Sequence, residues 1–180
     1  MSDTTLPAGL TAGVWDIETT HSSVGFTVRH LGLSKVRGRF NTFGGSVTVG
    51  NSVDDVRVEA TVDFGSIDTG NAQRDGHLRG GDFFEADAHP EMRFVSTGVS
   101  GASLRGELTI MGTTRPVEFD LEVHGVTTDG RGVTRAGFTA SGHIHRSEFG
   151  VAFNAPLGLD GMLISDKVAI ELEVQAVPRA

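Results

Sequence analysis

HSSVGFTVRHLGLSKVRGRF, residues 21–40, is the stretch whose reading decides the fold. Val24, Phe26, Val28 and His30 fall on one side of an extended chain, and Ser23, Gly25, Thr27 and Arg29 on the other. That period of two belongs to a strand with one dry face and one wet face. The same alternation recurs in VRVEATVDF (56–64), LRGELTI (104–110), VEFDLEVHG (117–125), FTASGHI (138–144) and VAIELEVQ (168–175). With VWDI near the start, VRGRFNTF (36–43) and MRFVSTGV (92–99), eight or nine strand candidates emerge. Gly44-Gly45, Gly50-Asn51, Gly112-Thr113 and Asp129-Gly130 read as the turns between them. Strands that follow one another through short links make antiparallel hairpins and meanders, not a βαβ sheet.

Two segments break the pattern. Between residues 66 and 94, Thr69 and Asn71 are candidate helix caps, and Gly80-Gly81 is a stop signal. The spacing predicts a short helix over about 72–79, followed by an apolar Phe83-Phe84 pair on a loop. Residues 146–166 carry much hydrocarbon for a loop, including Phe149, Val151 and Phe153, and either contain a short helix or cover an opening. At 180 residues the chain reads as one domain, 1–180, with residues 1–12 as a flexible N-terminal tail.

Composition removes several functions. The net charge is −8 and no basic run occurs, so nucleic acid is not an expected partner. Tyr is absent and Phe supplies 11 of the 12 aromatics, a surface poor in polar handles. No Cys is present, which excludes disulfides, thiolate metal sites and Cys nucleophiles. The first residues show neither a basic n-region nor an apolar h-region, and no stretch approaches the roughly 18 apolar residues of a membrane span. The chain therefore reads as cytoplasmic, without stable membrane insertion. Nucleophile elbows, Walker loops and His-Glu-x-x-His helices are absent, so no catalytic residue is assigned.

Eight or more half-buried antiparallel strands must stack as two sheets or roll into a barrel. An eight-stranded barrel can fill its interior with side chains or hold one small ligand. The pattern leaves both open. Gly38, Ala60, Gly106, Ala136, Ala140 and Gly142 fall inward beside Phe26, Phe40, Phe94, Phe119 and Phe138, which serves interdigitation or leaves a tube.

Across nearly its whole length the chain resembles the YceI-like family of lipid-binding barrels. The resemblance rests on WDIETTHSSVGFTVRHLGLSKVRGRF (15–40), SIDTGNAQRDGHLRGGDFF (66–84), HPEMRF (89–94), GELTIMGTTRPV (106–117) and IHRSEFGV (144–151), in that order. It implies an all-β, extended, eight-stranded antiparallel lipocalin-like barrel with one short helix. It further implies an apolar tunnel holding a long-chain polyisoprenoid or isoprenoid quinone for transport or storage, with no cofactor and no metal. The tunnel lining it implies is Val24, Phe26, Val28, His30, Phe40, Val58, Phe94, Leu108, Phe119, Leu121, Phe138, Phe153 and Ile170. Arg74, Asp75, Leu78, Phe83 and Phe84 would form a lid or rim. Arg146 and Glu148 are expected to fix the loop after their strand, and an edge strand would allow a homodimer.

The rival reading is a small barrel enzyme or metal-dependent protein using His30 or the pair His143/His145. A His-x-His on one strand face supplies two zinc ligands and needs a third. A hairpin at Asp129-Gly130 puts His124 opposite Arg135 or Ala136, about eight residues or roughly 26 Å from His143 at 3.3 Å per residue.

Overall fold

The alternating stretches form antiparallel strands in a computed structural model that describes residues 4–80, 86–100, 102–151 and 164–180. The strands are β1 (Gly13–Ile17), β2 (Ser23–His30), β3 (Ser34–Phe40), β4 (Phe43–Val49), β5 (Arg57–Asp63), β6 (Ile67–Asp68), β7 (Glu91–Val99), β8 (Ser103–Ile110), β9 (Thr113–Thr128), β10 (Thr134–His145) and β11 (Lys167–Pro178). Among the described residues one α-helix, α1 (Ala72–Arg79), stands between β6 and β7, over the residues the spacing predicts.

Six of these strands are halves of longer staves. β1 and β2 lie end to end along β11, Trp15 opposite Pro178 and Val24 opposite Leu172. β4 and β3 continue beside them on β1 and β2, and β5 and β6 follow on β4 and β3. Eight staves result, each antiparallel to the next in chain order, with the first closing on the last. Closure gives every stave a neighbour on each side, although β6 meets β3 only at Arg39 and Phe40, so residues 34–38 of β3 pair with β2 alone. The fold is thus the eight-stranded closed antiparallel barrel that the resemblance implies; the patterning gives its strands but not its closure.

The stave breaks have local causes. At the β5–β6 break the Asp63 carboxylate accepts from the Gly65 amide at 2.8 Å, and the Ser66 hydroxyl donates to the Asp63 carbonyl at 2.6 Å. These side chains offer the backbone partners that the ladder would otherwise supply. In β7 the register shifts between Ser96 and Gly98; the buried Ser96 hydroxyl takes the Val58 amide at 2.8 Å.

Two corrections to the sequence reading follow. VRGRFNTF is not one strand: it contains the end of β3, a break at Asn41-Thr42, and the start of β4. Gly44-Gly45 is not a turn but lies inside β4, with Gly45 opposite Ala60. A Cβ at Gly45 would overlap the Glu59 carbonyl oxygen and stand 2.9 Å from Ala60 Cα, whereas one at Gly44 meets nothing within 4 Å. Gly45 is therefore required by close backbone approach. Gly45→Ala is expected to cost about 1–3 kcal/mol in chemical denaturation, and Gly44→Ala less than about 0.5 kcal/mol.

Residues 4–12 also depart from the expected flexible tail. The Val53 amide donates to the Thr4 carbonyl at 2.9 Å, the Trp15 indole to the Thr11 carbonyl at 2.9 Å, and Leu6 and Leu10 pack against the core. The segment covers the barrel end where Trp15 is buried, because that end exposes an apolar interior that two leucines can shield.

Candidate functional site

The barrel has two unlike ends. At one lie the β2–β3 turn, α1, the Met111-Gly112 turn and the start of β11; at the other lie residues 4–12, the β9–β10 turn and the C-terminus. Among the described residues the interior has a cavity of about 710 Å³ toward one end and one of about 260 Å³ toward the other.

The larger cavity belongs to the α1 end. Val24, Phe26, Val28 and His30 of β2 line one wall, with Phe40 of β3 and Ile170 of β11. Met92, Ile110, Ile144 and Val168 line it too, each the first inward residue of its strand at this end. Alternation alone marks these four. The polar lining gathers in three places: His30 and Ser34 flanking the β2–β3 turn; Thr69, Asn71, Gln73, Arg74 and His77 before and along α1; and Arg146 after β10.

α1 (AQRDGHLR) carries one large apolar side chain, Leu78, which packs on the core and lines the cavity. Its caps therefore decide its position. The Asn71 side chain accepts from the Arg74 amide at 3.0 Å. Asp75 is buried and accepts from the Thr69 amide at 3.0 Å and the Thr69 hydroxyl at 2.5 Å. Arg74 returns along the same residue, donating to Thr69 Oγ1 and to the Thr69 carbonyl, both at 2.7 Å. Arg74 and Leu78 thus border the cavity, whereas Asp75 fixes the helix start and does not pair with the rim.

Arg146 is the least expected neighbour of the cavity, a guanidinium only 7% exposed. It donates to the carbonyls of Val151 at 2.7 Å, Ser165 at 3.0 Å and Ile164 at 3.1 Å. Burial pushes its pKa down, opposed by the nearby charge of Asp166. It ties the two sides of the 146–166 connection together, the fixing role that the sequence assigns it. Asp166 completes the clip, accepting from the Ser147 amide at 2.9 Å and hydroxyl at 2.8 Å. Burial pushes the Asp166 carboxyl up, but the Ser147 bonds and the charges of His145 and Arg146 bring it below its ordinary value. A lowered carboxylate stabilises above its unfolded pKa, and that contribution is lost as pH falls through the folded value. The Tm difference between the protein and Asp166→Asn is therefore expected to be full above about pH 5 and to close below about pH 4.

Val58, Leu121 and Phe138, expected in one continuous tunnel, line the smaller cavity instead, under Leu6 and Leu10. Phe94, Leu108 and Phe119 line neither. They stand between the two: along β7 the order is Met92, Phe94, Val99, from larger cavity to smaller. The Phe94 and Phe119 rings meet at 5.9 Å between centroids. A Cβ at Gly106 would lie 2.5 Å from the Phe94 ring, and one at Gly142 2.9 Å from that of Phe119. The inward glycines thus receive aromatic rings rather than leaving a tube, and the interior is divided where a single tunnel is expected. Phe83, Phe84 and Phe153 lie outside the described residues.

The histidines of the rival reading do not converge. His143 and His145 project outward; His145 Nδ1 is 3.4 Å from Asp166. The β9–β10 register pairs Arg135 with Thr127 and Ala136 with Val126, so His124 does not take the expected position opposite either; it falls at a bulge farther along, where its Nε2 meets Thr139 Oγ1 at 2.7 Å. Among the described residues no three His, Asp or Glu side chains gather as a metal site.

The YceI-like domain profile matches residues 15–176. A UPF0312 protein of Staphylococcus aureus (strain USA300) is 37% identical over 161 residues, covering 86% of this chain and 92% of its own. The crystal structure of Burkholderia cenocepacia BcnA superposes with a TM-score of 0.74 at 23% identity, over 88% of this chain and 98% of its own. A structure described as a polyisoprenoid binding domain from Saccharophagus degradans, implicated in plant cell wall breakdown, superposes at 0.71 with 14% identity, over 94% of this chain and 100% of its own. Barrel, motifs and profile agree, and the chain is a member of the YceI-like family.

Proposed function

We propose that the protein binds a long-chain isoprenoid lipid, a polyisoprenoid or an isoprenoid quinone, non-covalently in the larger cavity, and that it carries or stores this lipid without acting on it. The observation that carries the reading is the segregation of the lining: apolar walls below, polar residues gathered only at the α1 end. That is the complement of an amphiphile with a long tail and one polar head. Each tail methylene removed from water contributes about 0.8 kcal/mol, enough for tight binding without a charged contact. The tail would run down past Phe26, Phe40 and Ile170 toward Phe94 and Phe119. A head rich in acceptor oxygens, such as a quinone carbonyl or a phosphate, would sit near His30 and Arg74. The polyisoprenoid binding described for the Saccharophagus degradans domain supports the choice of tail.

Native mass spectrometry of the purified protein, with analysis of an organic-solvent extract, tests this. A stoichiometric prenyl lipid is the expected result. A protein that is empty and takes up no prenyl alcohol or quinone of any length would overturn the reading.

A further inference from the structure

The β2–β3 turn stands at the polar end of the larger cavity, and its chemistry is unlike that of the rest of the chain. The protein carries 23 Asp and Glu and a net charge of −8, yet no carboxylate occurs between Glu18 and Asp54. Within that interval fall Arg29, Lys35, Arg37 and Arg39. Register places Arg29 opposite Lys35, and Arg37 opposite Thr27, all four exposed on the outer face. Arg39 reaches Asp68 at 3.6 Å, whereas Arg29, Lys35 and Arg37 make no ion pair among the described residues. Glu171 and Glu173 of β11 lie farther from the turn, beside Gly25 and Ser23.

The turn itself is apolar. Leu33 is 82% exposed, and Leu31 and Gly32 hold φ values of 55° and 66°. The Leu33 amide donates to the His30 carbonyl at 3.0 Å. Two successive positive φ values call for Asn-Gly; a leucine in the first position is strained. One exposed leucine on a surface needs no explanation. A strained leucine beside an exposed one, flanked by three unpaired cations at the polar end of an apolar cavity, is a different matter.

We propose that this turn docks the protein on an anionic lipid bilayer. Leu31 and Leu33 enter the interface, and Arg29, Lys35 and Arg37 lie over the lipid phosphates, which brings the polar end of the cavity to the membrane surface. Among the described residues no helix is long and apolar enough to cross a membrane, so the docking is peripheral. The proposal takes its purpose from the lipid-binding reading, but docking itself needs no cargo.

Flotation with vesicles of phosphatidylcholine, and with vesicles in which about one lipid in three is phosphatidylglycerol, tests it. The protein is expected to float with the anionic vesicles and to be released between about 0.1 and 1 M salt, as the screening length shrinks from roughly 10 to 3 Å. Arg37→Glu is expected to weaken binding at least tenfold, since each basic side chain near such a surface is worth about fivefold. Leu33→Ser is expected to weaken it about tenfold. Leu31→Asn should raise Tm and yet weaken vesicle binding, a pair of opposite signs that a merely structural leucine would not give. All three variants should take up prenyl lipid from detergent as the parent does. Docking is overturned if the parent protein floats with neither vesicle, which would leave the basic turn to an acidic protein, or if the variants float as it does. A protein that takes up no prenyl lipid of any length and still floats would sink the cargo reading and leave docking intact.

Discussion

Replacing Arg146 with alanine is expected to lower stability by about 3 kcal/mol, a Tm drop of roughly 6–12 °C for a domain of this size. The guanidinium is buried beside the larger cavity, and it donates to three carbonyls on both sides of the 146–166 connection. Alanine leaves those acceptors without their charge-assisted donors, and the cost of unmet buried groups exceeds the net worth of the bonds themselves. Arg146→Lys keeps the charge but rescues little, because one ammonium cannot span carbonyls that a planar fork reaches from three directions. Thermal unfolding of both variants separates the cases. If lysine restored the parent Tm, charge rather than geometry would be the cause.

Arg146 also shows where sequence reading stops. Alternation placed most of the staves and the wall of β2, because a half-buried strand writes its inward face directly into the chain. The caps of α1 were legible for the same local reason: Asn71 meets the Arg74 amide within one turn. The depth of Arg146 was not, since its partners lie 5 to 19 residues away and depend on how a connection folds back. Gly45 misled because two adjacent glycines spell a turn, and only the neighbouring backbone of Glu59 and Ala60 reveals the second as a packing requirement. The division of the interior was hidden for a related reason. Each strand declares which residues point inward, but not whether a ring from β7 fills the hole left by a glycine on β8.

That filled hole leads to the second large effect. Phe94→Ala is expected to cost about 3–4 kcal/mol and to lengthen the longest prenyl chain the protein retains. The ring lies between the two cavities, against Phe119 and over Gly106, so removing it opens a passage rather than a closed void. Under the proposed function the parent protein retains chains only up to the length that ends at these rings. Offering a ladder of prenyl alcohols and reading the bound species by native mass spectrometry gives that limit for each protein. Phe94→Leu, which preserves more of the packing, should move the limit less and guards against a variant that fails to fold. Ala136→Leu projects into the smaller cavity. Alone it should leave the limit unchanged, because no chain reaches that far in the parent; combined with Phe94→Ala it should cancel the gain. An identical length profile in the parent and all four variants would mean that the rings do not stop the tail. A parent protein that binds no chain of any length would instead count against the lipid-binding reading itself.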